Sequence, residues 1–201
     1  MKGPLVALAL IFALATCPAI TLAAAAGPAP TPRATAPKMT PVNAQLIGLV
    51  KATPKLKIDK TVPASEGFDT KTQPYINVLG VPEGQAVGGY LESDGAHHGT
   101  LGNGYNVLAV PLESGGSGGV FTQIVFARHG NAKYVYAGYI SSAGHLSVQI
   151  KNGTIVATLP YYAERDPNCC PSKMIVQTYT ILGSTLHKLT DKTIPTPKPH
   201  A

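Results

Sequence analysis

Hydrophobic and polar positions change rhythm twice along this chain. From Leu5 to Ala15 the run LVALALIFALA is apolar without a break and follows a single positive charge at Lys2. Its length is that of a signal-peptide core rather than a membrane span. Pro18 interrupts it, and TLAAAAG offers small-residue cleavage sites after Ala23, Ala25 or Ala26. The pattern predicts an export signal over residues 1–26 and no transmembrane span in the mature form. AGPAPTPRATAPKMTP, Ala26–Pro41, has too few apolar side chains to bury and reads as a Pro-rich disordered linker over 27–41. Residues 42–74 form an irregular lead-in. Within it, Val42, Leu46, Leu49 and Val50 recur at helical spacing and predict one short helix.

From Tyr75 the period becomes two. YINVLGV, AVGGYLE, NVLAVPLE, GGVFTQIVFAR and KYVYAGYI are short runs rich in β-branched and aromatic residues, separated by glycine. Pro111 should place its strand at an edge or an end, because proline donates no ladder hydrogen bond. The clearest segment is HLSVQIKNGTIVATL. Leu146, Val148 and Ile150 alternate with His145, Ser147 and Gln149, and Ile155, Ala157 and Leu159 alternate with Thr154, Val156 and Thr158. Asn152-Gly153 between them accepts the positive φ angles of a tight hairpin. Gly183-Ser184 suits a second two-residue turn. The fold expected over 75–190 is mainly β: an antiparallel meander of about eight strands packed as a sandwich or curved sheet, with at most the one N-terminal helix. Residues 191–201 read as a disordered tail.

Charge narrows the partners. The formal net charge of the 201-residue chain is +6. Residues 27–74 hold seven Lys/Arg against three acids, while 75–187 hold five against six. The basic residues therefore sit in the arms, which is not the footprint of a nucleic-acid-binding domain.

Cysteines are few and unevenly placed. Cys17 would leave with the signal unless it is lipidated, and LATC departs from a lipobox at Thr16 and Pro18. That leaves Cys169 and Cys170, adjacent within RDPNCCPSK. An exported protein meets an oxidising compartment, where free thiols pair. Neighbouring Cα atoms are about 3.8 Å apart, and disulfides prefer about 4.4–6.8 Å. A vicinal bridge here would be strained and would lock a turn already restricted by Pro167 and Pro171. Asp166, Asn168 and Ser172 add turn chemistry. The loop reads first as a structural clamp. Three functional readings stand beside it: a platform packing on a ligand such as a sugar ring, a redox switch, and half of a metal site.

The stretch from Ser147 to Leu189 resembles the C-terminal part of exported bacterial proteins of the mycobacterial LppP/LprE-type surface lipoprotein family. The shared residues are Asn152-Gly153, the Asp166–Ser172 loop with its double cysteine, and Tyr179 on the following strand. The resemblance implies an exported or lipid-anchored envelope domain with no established enzymatic activity.

No complete catalytic constellation stands out. His97 and His98, with Glu92 and Asp94, offer weak metal ligands in a glycine-rich region, and no third ligand is fixed by spacing. No cofactor is expected. Tyr134, Tyr136, Tyr161, Tyr162 and Tyr179 lie in or beside neighbouring strands and are the better candidates for binding, because tyrosine joins a flat face to a hydroxyl. The function expected is a non-catalytic, secreted, periplasmic or envelope module that binds a glycan or protein of the cell envelope through the aromatic and Cys-Cys loop region. The alternatives are a secreted hydrolase or metal-dependent enzyme using the Gly/His loops, and a redox sensor.

Overall fold

The computed structural model describes residues 43–64, 68–83, 87–92, 94–115, 119–167 and 170–197. The expected signal, the linker and Cys17 lie outside the described residues, as do Asn168, Cys169 and the last four residues. All described residues fall in the compact unit Ala36–Ala201.

Helix α1, Ala44–Lys51, forms where the apolar spacing predicts it. Asn43 caps it: its side-chain oxygen accepts from the Gln45 amide at 2.8 Å, and Leu46 and Val50 turn inward. Eleven strands follow: β1 (Leu56–Asp59), β2 (Tyr75–Val78), β3 (Gly88–Leu91), β4 (His97–Thr100), β5 (Tyr105–Glu113), β6 (Val120–His129), β7 (Val135–Ser141), β8 (Ser147–Lys151), β9 (Thr154–Tyr161), β10 (Lys173–Leu182) and β11 (Thr185–Pro195). The fold is mainly β and antiparallel, as expected. β1 and β4 are additional to the expected strands, and β11 runs past residue 190. β4, HHGT, has no large apolar residue, and only its pairing with β5 makes it a strand.

The strands form two sheets. A seven-stranded sheet has the order β1-β2-β3-β5-β6-β7, with β4 also on β5, and a four-stranded sheet has the order β8-β9-β10-β11. One core lies between them. Val107 and Ala109 of β5, Val125 and Ala127 of β6 and Ile140 of β7 pack with Val148 of β8, Ile155 and Ala157 of β9 and Ile181 of β10. A second core lies on the other face of the larger sheet, where Val110, Leu112, Ile124 and Phe126 meet Ile76, Val78, Leu56 and the α1 residues Leu46 and Val50. β5 and β6 are therefore buried on both faces, which is why their sequences read as continuous apolar runs rather than alternations. Leu56 near one edge and Tyr136 and Tyr139 near the other belong to this second core, so the larger sheet curls around it.

Pro111 corrects the edge-strand expectation. β5 is interior, yet β4 pairs with it only at Asn106–Ala109 and β3 only at Leu112–Glu113. The Pro111 carbonyl accepts from the Glu92 amide at 3.2 Å, so its missing N–H faces the gap where one neighbouring strand gives way to the other.

The predicted turns form. Asn152 and Gly153 have φ of 50° and 72°, the two positive angles of a type I′ hairpin, and Gly183 has φ of 64° at the β10–β11 turn. That second turn is latched to the larger sheet. Asn103 donates to the Ile181 carbonyl at 2.6 Å and to Thr180 Oγ1 at 3.3 Å, and the Tyr105 hydroxyl donates to the Gly183 carbonyl.

Candidate functional site

Three of the five tyrosines line one open groove. Its volume is about 960 Å³, and Tyr134, Tyr136 and Tyr179 border it together with Tyr139. One wall comes from the end of α1 and the start of β1, through Leu49 and Ala52–Lys55, and from Leu79 and Gly80 after β2. The opposite wall is the β10–β11 turn, Ser184–Leu186, with Lys188. Between them runs Lys133–Tyr139, the start of the edge strand β7. The groove is thus the seam left where the curled sheet fails to close.

A bulge arranges the aromatic rings. The β6–β7 register shifts between Val125 and Phe126, and Gly138 has φ of 150°, a value that side-chain-bearing residues rarely take. Tyr136 and Tyr139, three apart, consequently face the same core, whereas strict alternation would separate them. Tyr136 meets Phe126 edge-on at 6.2 Å. The Arg128 guanidinium lies 4.7 Å from the Tyr134 ring centre, and its buried Nε has no hydrogen-bond partner, so the ring face is its main local complement. Burial, then the neighbouring Tyr139, pushes the Tyr136 hydroxyl up to about 12. Burial, then Asp191, does the same for Tyr179, which donates to Gln177 Oε1 at 2.5 Å. Both phenols stay protonated across the physiological range.

The lining is chemically simple. It offers aromatic faces, the hydroxyls of Thr53, Ser184 and Thr185, and the exposed ammonium groups of Lys55, Lys133 and Lys188. Among the described residues its lining holds no His, Cys, Asp or Glu.

The other two tyrosines lie elsewhere. Tyr161 ends β9 and is 44% exposed; Tyr162 follows it at 37%. They flank the double-cysteine loop, which joins β9 to the start of β10. Tyr179 is paired six positions along β10 from Lys173, about 20 Å away at strand rise. The aromatic groove and the Cys-Cys loop are therefore two places, not the single region expected from sequence. Asp166 organises the loop: one carboxylate oxygen accepts from the amides of Ala163 and Ser172, each at 2.8 Å. These two bonds, Ser172 first, hold its pKa below the usual carboxylate range. The Cys170 amide donates to the Pro167 carbonyl at 2.9 Å, and the Cys170 sulfur is not a free thiol. Thr196 clips the far side, its hydroxyl donating to the Pro171 carbonyl at 2.6 Å and its amide to the Ser172 carbonyl at 3.1 Å.

His97 and His98 are exposed neighbours on β4, opposite Ala109 and Leu108. His98 borders a smaller cavity of about 250 Å³ beneath α1, with Leu46, Leu49 and Tyr134. Among the described residues no group of three His, Cys, Asp or Glu is placed to hold a metal ion. Glu92 does have acidic neighbours, but they are carboxylates: burial, then a hydrogen bond and charge from Glu113, then Asp94, raise it to about 7. These acids stand at the Val120 end of β6, since Glu113 pairs with Val120, whereas the groove is at the Ala127–Val135 end.

Sequence reasoning missed Tyr139, the lysine rim and Glu113. Tyr139 was hidden by the bulge, and the lysines looked like ordinary solvated positions. No family model, curated protein or solved structure matches the chain.

Proposed function

We propose that this protein is a non-catalytic module of the bacterial cell envelope that binds a glycan in the tyrosine groove. The observation that carries the reading is the convergence of Tyr134, Tyr136, Tyr139 and Tyr179 on one open groove of about 960 Å³. Sugar rings present apolar faces to aromatic rings and hydroxyls to polar ones, and partly buried tyrosines supply both. Export and an envelope location rest on the signal-like N-terminus and on the double-cysteine resemblance. The non-free state of Cys170 supports a vicinal bridge with Cys169, acting as a clamp at the far end of β10.

The chain has nine tyrosines and no tryptophan, and four of the nine line the groove, so a change in tyrosine emission that is lost in groove variants reports on it. Titration with oligosaccharides prepared from bacterial envelopes should perturb that emission without releasing reducing ends. Tyr134→Ala and Tyr179→Ala should each weaken binding about 5- to 10-fold, as expected for the loss of one stacked ring. Unchanged binding in both variants, with thermal unfolding intact, would remove the groove as the site. Release of new reducing ends would replace the binding reading with a hydrolase.

A further inference from the structure

We infer that the glycan is acidic, a chain of uronate-type rings whose carboxylates meet the lysine rim; this rests on the groove reading above. All three charged side chains lining the groove are lysines: Lys55, Lys133 and Lys188. They come from three distant parts of the chain, the α1–β1 connection, the lead into β7 and the start of β11, and the fold assembles them around one opening. Lys188 is partly neutralised by Asp191 at 2.9 Å. Lys55 and Lys133 are exposed and have no ion pair among the described residues. The nearby Arg128 is already engaged with Tyr134. The rim's charge is local, because residues 43–197, which carry all three lysines, hold twelve Lys/Arg against ten acids. Like-signed walls around a low-dielectric cleft concentrate counter-charged ligands there.

The arrangement selects among anionic polymers. A uronate carries its charge on the ring edge, so its face can lie on tyrosine while its carboxylate reaches a lysine. A polyol phosphate chain has no ring face to offer. An acidic peptide would be expected to add as a strand to β7, but that edge is interrupted by the bulge. Leu186 also covers it: a Cβ on Gly138 would stand 3.1 Å from the Leu186 Cβ. The groove accepts a ligand that needs no backbone ladder.

The test compares a hexauronate, a neutral hexasaccharide and a polyol phosphate oligomer on the full chain, at about 20 mM and about 500 mM salt. The hexauronate should bind at least about tenfold more tightly than the neutral chain at low salt, and the advantage should shrink at high salt. The triple variant Lys55→Gln/Lys133→Gln/Lys188→Gln should lose that advantage, its affinity for the hexauronate falling by more than its affinity for the neutral chain. The control Lys71→Gln/Lys151→Gln/Lys173→Gln, which removes the same charge away from the groove, should keep it. Equal affinity for neutral and acidic chains overturns the acidic inference and leaves the groove reading standing. Tighter binding of the phosphate oligomer, or equal loss in the control, also overturns it. Failure of all three ligands sinks both readings.

Discussion

At the scale of single residues, two carboxylates pull stability in opposite directions with pH. Glu92 is raised from an ordinary 4.5 to about 7, mainly by burial and then by Glu113. Between those values the folded protein holds a proton that the unfolded chain has released, so this group makes stability fall as pH rises through that window. Glu92→Gln should flatten the decline: the fall in Tm of the native protein between about pH 5 and about pH 8 should shrink in the variant. Equal slopes would refute the assignment. Asp166 has the opposite sign. Its pKa is lowered from 3.8, so its contribution is complete above that value and disappears as pH falls through the folded one. Asp166→Asn should therefore mainly cost stability at neutral pH and little in strong acid. The turn-capping role of Asp166 was readable from DPNCCP. The partner of Glu92 was not, because it depends on the β3–β5 register that sets Tyr90 opposite Glu113, 23 positions away.

At the scale of elements, the β10–β11 turn is one wall of the groove, and Asn103 and Tyr105 latch it to the larger sheet. The hairpin's outer strand is largely exposed, with Leu189 at 54%. Asn103→Ala removes the bond to the Ile181 carbonyl and should cost about 1 kcal/mol. Amide exchange at Thr185 and Leu186 should speed up, and groove affinity should fall although Asn103 does not line the groove. If exchange at the tip is unchanged, the hairpin is held by its own ladder and the latch is incidental. Both tight turns of this half, Asn152-Gly153 and Gly183-Ser184, were legible because their φ demands are local. Tyr139 was missed and Pro111 misread for one shared reason. Each takes its meaning from a break in pairing, a bulge in one case and a change of neighbour in the other, and strand periodicity contains no trace of either.

At the scale of the whole molecule, alternation was enough to predict an antiparallel meander packed as a sandwich or a curved sheet, but not that both would occur together, with the larger sheet curled around a second core. That curl follows from burying both faces of β5 and β6. It brings Lys55 and Leu79 to face Tyr134–Tyr139 from the far edge of the same sheet. The groove is thus a property of long-range pairing. The cysteine loop is a property of nine consecutive residues, and the two sit at opposite ends of β10. This separation makes a prediction that divides the clamp from the ligand platform. If Cys169 and Cys170 form the vicinal bridge, intact-mass analysis of non-reduced protein should find no alkylatable thiol on either. Reduction should then loosen residues 163–172 and lower Tm. It should leave the β-sheet signal nearly intact, because Asp166 and Thr196 still tie the loop ends together. If the groove is the binding site, glycan affinity should not change on reduction, since Tyr179 lies about 20 Å from the loop along the strand. A parallel loss of affinity and disulfide would place the ligand at the loop beside Tyr161 and Tyr162, and the groove would lose its claim.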